Sequence, residues 1–91
     1  MKVRYSRRAN KQIQEIGDYI GRHNAGAAAR VTARIAALTR LLGQHPRMGR
    51  ATDKEGVRVV SVLPFPYVIF YKISVEADEI EVLRVRHTAR K

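Results

Sequence analysis

The chain has 91 residues, 18 of them Lys or Arg against 8 Asp or Glu, giving a formal net charge of +10 and a pI near 10.9. That length suits one domain, residues 1–91, with a single modest core. Without cysteine, a disulfide framework and a thiolate metal site are both excluded, and no apolar run reaches secretory or membrane-spanning length. A soluble cytoplasmic protein with no membrane association is the expectation. So basic a surface draws polyanions at the encounter step and does so less as salt rises, which points to an anionic partner. Of the 18 basic residues 13 are Arg, and the planar guanidinium favours bidentate grip on carboxylate or phosphate. Nucleic acid and an acidic protein both satisfy that chemistry.

In chain order, Lys2 to Tyr5 alternate polar and apolar and predict a brief strand. Ser6 is placed to cap a helix whose apolar residues Ala9, Ile13, Ile16 and Ile20 fall at steps of four, three and four. Gly17 beside that stripe predicts close approach of a neighbouring helix, and Asp18 stands four residues before Arg22 in the favourable orientation. Gly21, Asn24 and Gly26 punctuate a turn. A second amphipathic helix follows on Ala28, Val31, Ile35, Leu38 and Leu42, ending near Gly43, and its alanines suit tight packing in an antiparallel pair. Ile13, Ile16, Ile20, Val31, Ile35 and Leu38 are the expected helical core. Gln44 to Gly56, carrying Pro46, Gly49 and Gly56, predicts a loop.

From Val57 the period changes to strands: Val57 to Leu63, Tyr67 to Ile73 and Ile80 to His87, an antiparallel meander joined by Pro64-Phe65-Pro66 and Glu76-Ala77-Asp78. Both side-chain parities are apolar in the middle strands. Odd residues offer Val57, Val59, Leu63, Tyr67, Ile69, Tyr71 and Ile73; even ones offer Val60, Val62, Val68 and Phe70. Two consecutive helices cover one face of a sheet, so the other should keep an apolar row beside Arg58. Either Arg84 and Arg86, or Leu83, Val85 and His87, would join it there, and an uncovered patch of this kind marks a partner site.

Among the candidate chemical groups, His23 and His45 fall in turn and loop, and no histidine has an acid at metal-ligand spacing, so neither metal nor cofactor is expected. His87 differs, because Arg84, Arg86 and Arg90 stand within three residues of it. A neutral imidazole there could take a proton from a ribose hydroxyl as a general base, or simply pack at a strand end. Glu76, Asp78, Glu79 and Glu81 read as a solvated acidic patch.

Four stretches carry a resemblance that together spans nearly the whole chain. They are Tyr5-Ser6 with Ala9; Ile16-Gly17-Asp18-Tyr19-Ile20; His45-Pro46-Arg47-Met48-Gly49-Arg50; and Arg58 with Pro66-Tyr67-Val68-Ile69-Phe70-Tyr71 and Val82 to Arg90. In these the chain resembles the RelE/ParE toxin superfamily of bacterial type II toxin-antitoxin systems, and more closely its ParE branch. The resemblance implies an α+β fold, an N-terminal helical hairpin packed on a small, mostly antiparallel β-sheet. It also implies a cytoplasmic plasmid-stabilization toxin in a hetero-oligomer with an acidic, ParD-like antitoxin, meeting DNA only through that antitoxin. RelE-like members are ribosome-dependent mRNA endoribonucleases, whereas ParE-like members poison DNA gyrase by binding.

Where the nucleases carry an Arg after the strand tyrosine, this chain has Val68, and Val59, Val60, Ser61 and Val62 stand where they place lysines. A phosphate under in-line attack needs cations close by, so these departures favour a gyrase-binding toxin. The expected partner-binding set is Arg58, Arg84, Arg86, His87 and Arg90, with no catalytic residue. The endoribonuclease alternative would use His87 as base with Arg58 or Arg84 on the phosphate. A plain basic nucleic-acid-binding module is the third reading.

Overall fold

The computed structural model describes residues 1–89, and Arg90 of the expected basic set lies outside them. Strand β1 (Lys2–Tyr5) leads into helix α1 (Arg7–Gly21), whose first turn is closed by Ser6 Oγ accepting from the Ala9 N–H at 2.9 Å. Asn24 does the same for helix α2 (Ala25–Gln44) through the Ala27 N–H at 2.9 Å, so Gly26, read as turn punctuation, lies inside the helix. A Cβ on Gly17 would sit 3.4 Å from Thr32 Cγ2, which is the close helix approach its position predicted.

Strands β2 (Arg50–Ala51), β3 (Val57–Ser61), β4 (Tyr67–Ser74) and β5 (Glu79–His87) complete a five-stranded sheet in the order β1-β5-β4-β3-β2. The last four pair antiparallel, and β1 joins β5 in parallel. Strand β2 falls within the predicted loop. Two residues are too few to set up a period, and only their pairing with Val59 and Arg58 makes them a strand.

The helical hairpin covers one face. Ala9, Val31, Ile35 and Leu38 pack there against Val62, Tyr67, Ile69, Val82 and Val85, and Leu42 joins Tyr71 and Ile80 further along. Each fully buried Leu, Ile or Val contributes about 1.5–3 kcal/mol relative to exposure. Ile13, Ile16 and Ile20 pack onto this core but stay half-buried, so that α1 buries Ala9 fully while α2 buries Val31, Ile35, Leu38 and Leu42. Among the described residues Thr39 is the buried polar one, satisfied by Tyr5 Oη and by donation to the Ala36 carbonyl at 2.9 Å.

Which residues face the helices differs from the simple parity reading. The β3–β4 hairpin pairs Val60 with Ile69 and Val59 with Phe70, so even residues of β3 share a face with odd residues of β4. In β5 the register shifts: Phe70 pairs with Arg84, but Tyr71 pairs with Val82, leaving Leu83 as the extra residue of a bulge. Val82 and Val85 both reach the core as a result, and the open face receives Val59, Val68, Phe70, Arg84 and Arg86. Leu63, expected in an apolar row, is 67% exposed.

The acidic patch is partly neutralised. Arg4 on β1 reaches Glu79 at 3.2 Å and Glu81 at 3.4 Å across the parallel pairing, an exposed arrangement worth well under about 1 kcal/mol. Asp18 and Arg22 form no ion pair; what joins them is the helical bond from the Arg22 N–H to the Asp18 carbonyl at 3.2 Å.

Candidate functional site

The bulge in β5 creates the most distinctive surface of the molecule. Regular alternation from Val82, a core residue, would send Arg84 and Arg86 into the core and Val85 outward; one extra residue, Leu83, reverses this. Helix α1 pins the inserted residue in place. The Ser6 N–H donates to the Val82 carbonyl at 2.9 Å, and Ser6 Oγ donates to the Leu83 carbonyl at 2.7 Å. Gln12 Oε1 accepts from the Val85 N–H at 2.7 Å. These bonds occupy backbone groups of β5 beyond the end of β1, which covers it only as far as Val82.

On the open face the two guanidiniums converge on one ring. Arg84 Cζ lies 4.4 Å from the Phe70 centroid and Arg86 Cζ 5.4 Å. Cation–π attraction to a shared ring offsets part of the repulsion between them. Partial burial, with Arg86 and Arg8 as cationic neighbours, holds the Arg84 pKa below its ordinary value, although a guanidinium so placed stays charged at neutral pH. Among the described residues no carboxylate comes within ion-pair distance of Arg84 or Arg86.

His87 has the parity of Tyr67 and meets its ring edge-on, centroids 5.3 Å apart and planes at 85°. A groove of about 460 Å³ between α1 and the end of β5 is bordered by His87, Arg84 and Arg86 together with Arg8 and Tyr19. Three members of the expected basic set therefore do meet. The histidine's Nδ1, however, accepts from the Ala89 N–H at 3.0 Å. In the neutral tautomer consistent with that bond the proton sits on Nε2, so His87 offers the groove a donor and no free lone pair for proton abstraction.

Arg58 stands apart. It pairs opposite Tyr71, on the parity away from Arg84 and Arg86, and its Nη1 donates to the Gly49 carbonyl at 2.6 Å. Tyr71 Oη accepts from the Gly49 N–H at 2.9 Å and donates to the Pro46 carbonyl at 2.7 Å. Burial raises the Tyr71 pKa, outweighing the lowering by the Gly49 N–H and by Arg58. Arg58 and the His45-to-Arg50 stretch thus form a latch holding the loop to the sheet.

Phe70, Arg8, Arg50 and Lys54 complete the basic surface and were not in the expected set. A regular hairpin register would put Phe70 opposite Leu83, and only the bulge sets it opposite Arg84; the others come from distant segments and left no local signal. The assembly can hold anions between paired cations. In the groove beside the arginines His87 presents a donor, and the carboxylate that shares the lining is that of Glu15 on α1.

Comparison with known proteins agrees with this geometry. The family described as ParE toxin of type II toxin-antitoxin system, parDE, matches residues 3–91. The protein Y4kP of Sinorhizobium fredii is 36% identical over 86 residues, covering 94% of this chain and 86% of its own. Toxin RelE2 of Caulobacter vibrioides is 36% identical over 84 residues, covering 91% and 90%. Among solved structures, the chromosomal ParDE toxin-antitoxin system of P. aeruginosa superposes with a TM-score of 0.84 at 21% identity, over 96% of this chain and 95% of that one. With two helices packed on a five-stranded mixed sheet and a family match over nearly its whole length, the chain belongs to the ParE toxin family of type II toxin-antitoxin systems.

Proposed function

We propose that this ParE-family toxin works in the cytoplasm by binding DNA gyrase and blocking it, and that a ParD-like acidic antitoxin restrains it in a hetero-oligomer. The observation that carries the binding reading is the Arg84–Arg86 pair, turned outward by the bulge, in no ion pair among the described residues, and beside a histidine whose Nδ1 is already engaged. Cleavage of RNA needs a group to take the 2′-hydroxyl proton and cations around the phosphate. Val68 occupies the open face where a further cation would help. The net charge of +10 suits an acidic antitoxin, and the P. aeruginosa relative is described as a ParDE system.

The deciding experiment is a supercoiling assay with purified protein, gyrase, ATP and plasmid, beside a translating extract scored for cut mRNA. Lost supercoiling with accumulated linear DNA and intact mRNA is expected. Cut mRNA with unaffected gyrase would sink the proposal.

A second reading, ribosome-dependent endoribonuclease, draws on the groove shared by His87, Arg84 and Arg86. His87→Gln separates the two. Its amide keeps a donor and the strand-end packing but has no basic nitrogen, so gyrase inhibition should stay within about threefold of the parent, the effect of a rim contact. A nuclease relying on His87 as base would lose about 10²–10⁴-fold in cleavage rate.

A further inference from the structure

We infer that the open face of the sheet recognises an extended acidic protein segment through two carboxylates on alternate residues, one received at Arg84 and one at Arg86. The inference rests on the binding reading above and names the chemistry of the bound segment.

Two wells flank Phe70 on this face. One, of about 370 Å³, holds Arg84 with Arg8 and Lys54; the other, of about 420 Å³, holds Arg86 with Arg50. Phe70, Thr52 and Asp53 line both. Five cations thus face a single carboxylate, that of Asp53, and two further carboxylates leave the surface positive. Arg84 and Arg86 are alternate residues of one strand, so their Cα atoms are about 6.6 Å apart. An extended peptide repeats its own side chains at the same interval on one face. Carboxylates two residues apart therefore match the wells, while adjacent carboxylates point to opposite sides of the peptide and only one can enter.

Phosphates along a single nucleic-acid strand could approach a similar interval, so spacing alone does not choose between the two. Phe70 does. Binding of single-stranded nucleic acid relies on exposed aromatic rings on which bases stack, and here the ring in the middle of the cations already carries two guanidiniums. Arginine on a ring is also held with its fork directed outward, which suits bidentate acceptance of carboxylate.

The test follows the Arg Nε–Hε resonances of the intact protein at low ionic strength during titration with three probes. These are a nine-residue Thr-based peptide with blocked ends and two Glu on alternate residues, its isomer with adjacent Glu, and the trinucleotide of thymidine, which carries two phosphates. The alternate peptide should shift both Arg84 and Arg86 and bind about fivefold tighter than its isomer, as expected for one additional exposed ion pair. Arg84→Ala should erase that difference. Equal binding of the two isomers, tighter binding of the trinucleotide, or no shift at either arginine would overturn the inference. If gyrase proves unaffected while the alternate peptide is still preferred, the target is wrong and the recognition chemistry stands. If gyrase is inhibited and no preference exists, this inference fails alone.

Discussion

Reversing both charges on the open face, Arg84→Glu with Arg86→Glu, is expected to abolish gyrase inhibition and leave the fold standing. Each guanidinium that meets an anionic group in a partner makes a charge-assisted contact worth about 1.5–3 kcal/mol. Losing two such contacts costs about 3–6 kcal/mol, raising the half-inhibitory concentration by roughly 10²–10⁴-fold before new repulsion is counted. The fold should tolerate the change. Arg86 is exposed and Arg84 only partly covered, and what disappears is their attraction to Phe70, about 0.5–2 kcal/mol in all. Relief of crowding among Arg84, Arg86 and Arg8 acts in the opposite direction. Melting should therefore move by no more than roughly 10 °C. A control with the same change in net charge, Arg30→Glu with Arg40→Glu on the exposed side of α2, distinguishes loss of a contact from loss of long-range attraction. If the open-face variant inhibits gyrase as the parent does while its circular dichroism is unchanged, the contact lies elsewhere.

That the two arginines lie on the open face was legible as one of two alternatives, and choosing between them needed information that strand periodicity does not hold. Alternation sorts the residues of each strand into two sets but does not say which set of one strand meets which set of the next. The β3–β4 register joins even to odd, and the bulge at Leu83 changes the parity of β5 midway. Two adjacent apolar residues, Val82 and Leu83, are the trace of that bulge in the chain. The helices were more readable because their signals are local. Ser6 and Asn24 cap where short polar residues precede periodic apolar ones, and Val31, Ile35 and Leu38 are buried as their spacing requires.

Arg58 shows the opposite limit. On sequence it is one more arginine at a strand start, and strand parity as well as the family resemblance grouped it with Arg84 and Arg86, whereas its pairing with Tyr71 puts it on the other face. Its hydrogen bond to Gly49 depends on a loop folding back nine residues earlier, which no local pattern announces. The same loop hides the two-residue strand β2 and explains why Pro46 and Gly49 stand where they do: both supply backbone groups to the Tyr71 hydroxyl.

Gly49→Ala should be the most destabilising single change on this surface. A Cβ at Gly49 would lie 2.7 Å from Tyr71 Oη and 2.8 Å from both Tyr71 Cε1 and the Val59 carbonyl. Two of those atoms belong to a buried ring and one to strand backbone, so the loop has to lift. Lifting it breaks the bonds from the Gly49 N–H to Tyr71, from Tyr71 to Pro46 and from Arg58 to Gly49. At about 1 kcal/mol for each bond, with added cost for a hydroxyl left unsatisfied, the loss is about 3–5 kcal/mol, a large share of the 5–15 kcal/mol available to a small domain. Melting should fall by roughly 15–30 °C.

Tyr71→Phe keeps the ring and removes only the hydroxyl, at about 1–3 kcal/mol. This variant also differs from the parent in alkali. Because burial raises the Tyr71 pKa above its ordinary 10.0, the folded chain holds that proton where the unfolded chain has lost it. Its contribution is complete below that pH and declines as pH rises through the folded value. The parent should therefore lose stability above about pH 10 more steeply than Tyr71→Phe, and the two denaturation midpoints should converge there. A Gly49→Ala protein that melts within a few degrees of the parent would mean that the loop is not clamped. Curves for parent and Tyr71→Phe that stay parallel through alkaline pH would mean that the hydroxyl is not the clamp.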